Sequence, residues 1–344
     1  MLSLDHANKS TLITKYGMRN FDNYDARWRY GMNSDVINAI DKCRKENKGE
    51  AFLSLKPRID DLTITVAHLY AAGGEMCHFN MPDGKKFKIW DKEYLKYSYG
   101  ELEFLPGRGF EYLFANWDNM VKACGNRAHD EDNFKNGKMS GKQPRNHYER
   151  RRENMIAALS SKLEEGMLAV IDMEYSVDRT KLDSAKIVKN PKADLICATV
   201  ENNRIVFYIT EYKSTENGFG VSLKEHYDDM VMYYDDIRIK QHLIKTLQER
   251  LKYGLIGCNE KVENIISDLT VQSIDVRILF LFSHANEYSE KKRNILAEGY
   301  NYIYEESKLN DVPVKYAYID NIEEGCLKKP ILRDFESKGN FELD

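Results

Sequence analysis

A mixed α/β fold follows from three features of this sequence. Apolar runs of strand length alternate with amphipathic stretches of helical period. Hydrophobic residues make up 42% of the 344, enough for a sizeable core. The 20 glycines and 7 prolines are too few for a disordered or fibrous chain. The length suits two domains or one large one.

The first third reads as an N-terminal α/β or α+β domain over 1–125. "NSDVINAIDKCRKENKG" predicts a helix with its N-cap at Asn33 or Ser34, an apolar stripe of Val36, Ile37, Ile40 and Cys43, and a stop near Gly49. Short strands are expected around 51–55 and 62–66. "CHFNMPDGKKFKIW" predicts a hairpin turning at Pro82-Asp83-Gly84. Residues 110–125 read as one helix ending at Gly125. No motif in this third identifies a chemistry, and recognition of a substrate or partner is its expected role. Tyr16, Tyr24, Trp28 and Tyr30 read as core aromatics sooner than as base-stacking platforms.

Residues 126–145 are polar with little periodicity, as in a linker, lid or binding loop. From Lys135 to Arg152 there are seven Lys/Arg against one acid, Glu149. Lys138, Lys142, Arg145, Arg150 and Arg151 are therefore candidate phosphate contacts, although a solvated linker running into a helix has the same composition. The second domain, 146–344, begins with a helix striped by Met155, Ile156, Leu159 and Leu163, followed by the strand "MLAVIDMEYSV". Two strands come next, then a long helix over 222–251 with room for one break. A buried strand at 276–285, a helix at 287–308 and the strand "VKYAYID" complete an α-β-β-β-α-β order with an α-β extension. A mixed central sheet with helices on both faces is expected.

The pair of strands in "KADLICATVENNRIVFYITEYKST" carries the chemistry. Asn202-Asn203 suits a two-residue type I′ loop, because asparagine tolerates φ > 0. Paired residues then sum to 405, which sets Asp194 opposite Glu211 on the face of Ile196, Ala198, Val200, Ile205, Phe207 and Ile209. Lys213 shares that face by the period of two. Two carboxylates at that distance repel unless something positive joins them. Oxygen ligands of this kind suit Mg²⁺ or Mn²⁺, which can polarise a phosphodiester and acidify a bound water. An ammonium beside them could steady the charge that develops on the phosphate.

In these residues the chain resembles the PD-(D/E)xK nuclease superfamily, with its restriction endonuclease-like and Holliday-junction resolvase-like cores, over about 146–285. The resemblance implies Asp194 as the aspartate that opens the second strand and Glu211-Tyr212-Lys213 as the (D/E)xK that ends the third. It also implies a metal ligand from the backbone carbonyl of Tyr212, an acid from the first core helix (Glu153 or Glu149), and Mg²⁺-dependent hydrolysis of nucleic acid. Other acid-x-Lys triplets occur, such as Glu46–Lys48 and Glu290–Lys292, but only Glu211–Lys213 ends an apolar strand whose hairpin partner begins with an aspartate. Pro191 stands three residues before Asp194 rather than directly before it, and the glutamine of RecB-type members is missing from the following helix. His226 on that helix is a candidate phosphate contact. Glu174, taken to share a face with Asp172, reads as an extra metal ligand or as a strand-end acid paired with a lysine.

The expected function is a metal-dependent DNA endonuclease. An RNase on the same fold, or a catalytically silent binding module, are the alternatives. A homodimer is expected by likeness to restriction and resolvase relatives. Six scattered cysteines argue against a zinc ribbon and a disulfide framework, and "MLSLDHANKS" lacks the apolar core of a signal peptide, so a cytoplasmic protein without membrane spans is expected. The formal charge of −4 leaves any nucleic-acid surface to a local basic patch. GxxxxGK[ST], GxSxG and HExxH are absent.

Overall fold

The computed structural model describes residues 32–45, 51–89, 109–125, 147–177, 192–213, 221–234, 236–283, 290–319 and 330–335. The segment 126–145, with Lys138, Lys142 and Arg145, lies outside them, as do Gly49 and the aromatic residues before Met32. The architecture is mixed α/β with two sheets.

The N-terminal sheet is antiparallel, in the order β1 (Ala51–Pro57), β2 (Ile64–Ala71), β3 (Gly74–Asn80) and β4 (Lys88–Ile89). Helix α1 (Ser34–Lys45) opens with the Asn33 side chain accepting the Asp35 amide at 2.7 Å, the expected cap. The hairpin at Pro82-Asp83-Gly84 forms, with His78 opposite Lys88. The single helix expected over 110–125 is instead two, α2 (Phe110–Ala115) and α3 (117–125), parted at Asn116. There the Asn116 side-chain amide donates to the Tyr112 carbonyl at 2.9 Å, satisfying a helix end from within. One face of the sheet (Leu53, Leu55, Ala67, Leu69, Cys77, Phe79) is buried under these helices and against Tyr253 and Leu255.

The second sheet has the order β10 (Arg333–Asp334), β9 (Val314–Tyr318), β8 (Asp275–Phe282), β7 (Arg204–Lys213), β6 (Lys192–Glu201) and β5 (Ala169–Ser176). Strands β5, β6 and β7 are antiparallel neighbours, while β7, β8 and β9 run parallel. Strands β6 and β7 are therefore interior, and their unbroken apolar character follows from cover on both faces. On one side pack α5 (Val221–Tyr234), α6 (Ile237–Lys252), α7 (Glu260–Ser267) and α8 (Glu290–Leu309), through residues such as Met230, Leu247, Ile266 and Tyr300. On the other, α4 (His147–Leu159) lays Ile156 and Ala157 against Leu195, Cys197 and Tyr208.

The long helix is expected to break once, and Asp236 starts a second helix, its side chain accepting the amides of Arg238 and Ile239 at 2.8 and 3.3 Å to cap α6. Helix α7 was not expected. Asn259 caps it by accepting the Val262 amide at 3.0 Å. Strand β1 joins the two sheets: Phe52 enters the core under α4, and Ser54 and Lys56 reach Asp172 on β5. No helix among the described residues is long and apolar enough to cross a membrane.

Candidate active site

The site is positioned by the β6–β7 turn. Asn202 and Asn203 have φ of +50° and +61°, the left-handed pair that a type I′ turn requires. The register then runs from Glu201–Arg204 to Leu195–Thr210, every pair summing to 405. Asp194 and Glu211 follow one residue further out on each strand, just past the last paired residues.

The Asp194 carboxylate accepts the backbone amide of Tyr212 at 2.9 Å, so the acid of β6 is tied to the chain between Glu211 and Lys213. Glu211 is 1% exposed and Lys213 5%, and the Lys213 ammonium is in direct contact with Glu211 Oε1. His226, half-buried on α5, brings Nε2 to 3.2 Å from the same oxygen. An acid, an ammonium and an imidazole thus meet at one end of β7, and Asp194 of β6 is bound to the backbone between Glu211 and Lys213.

Tyr212 points the other way. Its hydroxyl meets Ser283 Oγ at 2.8 Å, and Arg152 donates to that serine at 3.4 Å. Burial pushes the hydroxyl up to about 12, which keeps it a neutral hydrogen-bonding group at ordinary pH. Arg152 carries no signal that separates it in sequence from its two arginine neighbours; only the fold shows that it turns inward.

Glu153 is buried on α4 and lies near enough to Tyr212 for its charge to raise that hydroxyl. Helix α4 covers the Tyr212 side of the sheet, so Glu153 and Glu211 stand on opposite faces. Glu149 belongs to α4, but its side chain lies outside the described residues. Arg150 and Arg151 are exposed at the start of that helix, as surface cations should be.

The expectation that Glu174 shares a face with Asp172 is corrected. Asp172 is 1% exposed and bonds to Ser54 and to Lys56 Nζ at 3.0 Å. Glu174 is exposed, with φ at +49°. A bulge between Val170 and Asp172 and this left-handed residue together break the alternation of the strand. The lysine goes to Asp172, and Glu174 offers it only its backbone carbonyl, at 3.5 Å. Glu174 sits between the pairs Met173–Leu195 and Tyr175–Ala193, level with Asp194, but its side chain is in solvent.

The carboxylates of Asp194 and Glu211, on neighbouring strands, are of the donor type that suits a hard divalent cation. Comparison with protein-family models, curated proteins and solved structures finds no match for this chain.

Proposed function

We propose that the chain is a metal-dependent nuclease of the PD-(D/E)xK kind, acting on DNA, with its centre at Asp194, Glu211 and Lys213. The observation that carries the reading is the clustering at one strand end: Asp194 on the Tyr212 amide, with Lys213 and His226 both on Glu211. Structural ion pairs do not need an aspartate from the neighbouring strand, whereas cation binding needs a second oxygen donor.

Asp194 and Glu211 would hold Mg²⁺ or Mn²⁺, with the Tyr212 carbonyl as a further oxygen. Such an ion supplies Lewis-acid polarisation of the phosphodiester and a bound water of lowered pKa. The protein's own share is positional. The Tyr212 amide fixes the orientation of Asp194. His226 Nε2 helps to hold Glu211 Oε1, leaving the Lys213 ammonium close by to stabilise charge growing on the phosphate oxygens. Arg150 and Arg151 would take backbone phosphates, each contact steepening the salt dependence of binding.

One observation favours a second reading, a binding module without catalysis. Glu211 is almost fully buried and already neutralised by Lys213, as in a closed structural ion pair. Cleavage of duplex, single-stranded, branched and RNA substrates with and without Mg²⁺ separates the two. The nuclease reading expects Mg²⁺-dependent products from wild type, none from Lys213→Ala, and none from Asp194→Asn, which keeps an acceptor for the Tyr212 amide but loses the charge. Cleavage unchanged in both variants sinks it.

A further inference from the structure

The N-terminal sheet carries a second cluster of ligand-type side chains, unrelated to the one at Asp194. His68 on β2 is paired with His78 on β3, their rings 5.3 Å apart, and Glu75 lies on the same face. His78 Nδ1 is 2.8 Å from Glu75 Oε1, and His68 Nδ1 is 3.1 Å from that same oxygen. All three ligand atoms lie within 4.8 Å of one another.

Two features set this apart from an ordinary polar strand face. First, Glu75 and His78 are three residues apart and would face opposite ways in a regular strand. A bulge brings them together: Leu69 pairs with Cys77 but Tyr70 pairs with Glu75, so Met76 is the extra residue and turns with Cys77 into the core. Bulges are features that re-aim side chains, and they gather near functional sites. Second, the His68 Nδ1 atom is buried and has no hydrogen-bond partner among the described residues, although the Glu75 oxygen is close. Its direction is wrong for a bond to that oxygen. An atom of this kind costs free energy where it stands, unless something else takes its lone pair.

We propose that His68, Glu75 and His78 form a binding site for a divalent ion of the zinc class. Zinc bonds to imidazole nitrogen and carboxylate oxygen at about 2.0–2.1 Å, which sets tetrahedral ligand atoms about 3.3 Å apart. The two separations of 2.8 and 3.1 Å need only small side-chain rotations to open to that value. Two imidazoles with one carboxylate favour Zn²⁺ and its neighbours over Mg²⁺. The site rests on none of the residues proposed for phosphodiester cleavage.

The test uses the full chain, stripped with a chelator and titrated with equimolar Co²⁺. A visible absorption band of four- or five-coordinate Co²⁺ is expected, displaced by Zn²⁺ and unmoved by excess Mg²⁺. His68→Gln and His78→Gln should each abolish it, and Asp194→Asn should keep it. In wild type, Zn²⁺ should protect His68 and His78 from diethyl pyrocarbonate, read by peptide mass spectrometry. The absence of a band from wild type overturns the proposal. So does a band that survives both histidine replacements. Should those variants unfold, the protection map decides: modification of both histidines at saturating Zn²⁺ rejects the site, and their shielding supports it.

Discussion

His242 shows how finely one buried titratable residue is held. Its Nε2 lies 2.8 Å from the Pro57 carbonyl, which can only accept, so that nitrogen carries the proton and Nδ1 accepts from the Tyr175 hydroxyl at 3.1 Å. Burial, the largest influence, holds the imidazole below its ordinary 6.5. The unfolded chain then takes up a proton that the native state resists. The contribution of His242 to stability is therefore complete above about pH 6.5 and is lost as pH falls through the lower native value. Thermal melts from pH 7.5 downward should show Tm falling below pH 6.5, with a shallower fall in His242→Gln. An identical profile in the variant would assign the acid loss to other groups. The Glu211–Lys213 pair is buried too, and deleting one partner of a buried pair costs about 3–5 kcal/mol. A melt must accompany any activity measured on Lys213→Ala.

Among the elements, the β6–β7 hairpin decides most and was the most legible. An asparagine pair between two apolar runs specified turn type and register, and the register specified which side chains share a face. Replacing Asn202 and Asn203 with valine forces β-branched residues to φ near +50° and +61°. The cost is about 1–2 kcal/mol per residue, and Asn203→Gly should be tolerated. Equal melting points for the wild type and the double valine variant would show that the turn does not hold the register. Other elements were hidden for physical reasons. The bulges in β3 and β5 depend on partners distant in sequence, so an alternation pattern misplaced Glu174 and gave no hint of the His68–Glu75–His78 face. Helix α7 has an N-cap, Asn259, and apolar Val262, Ile265 and Ile266. These signals were present, but eight residues make a weak period.

At the scale of the molecule, the two sheets are joined by polar contacts that composition could not reveal. Arg250 on α6 sits 4.4 Å over the Phe52 ring and donates to the Leu53 carbonyl, while burial draws its guanidinium down to about 10, still charged at neutral pH. Lys56 on β1 neutralises Asp172 on β5. Strand β1 is thus held between α4, α6 and β5, and the N-terminal sheet forms a wall beside the central one. The order of elements from α4 onward was readable because each has a strong period of its own. The packing of β1 was not, because it rests on residues more than a hundred positions apart.

The proposed centre is a cation held by two acids from neighbouring strands. Crystals of the full chain soaked in Mn²⁺ and measured at the manganese edge test that claim most directly. An anomalous peak within bonding distance of both Asp194 and Glu211, absent in Asp194→Asn, is the predicted result. Saturating Mn²⁺ with no peak between those carboxylates, in crystals where Lys213 still covers Glu211, would contradict it.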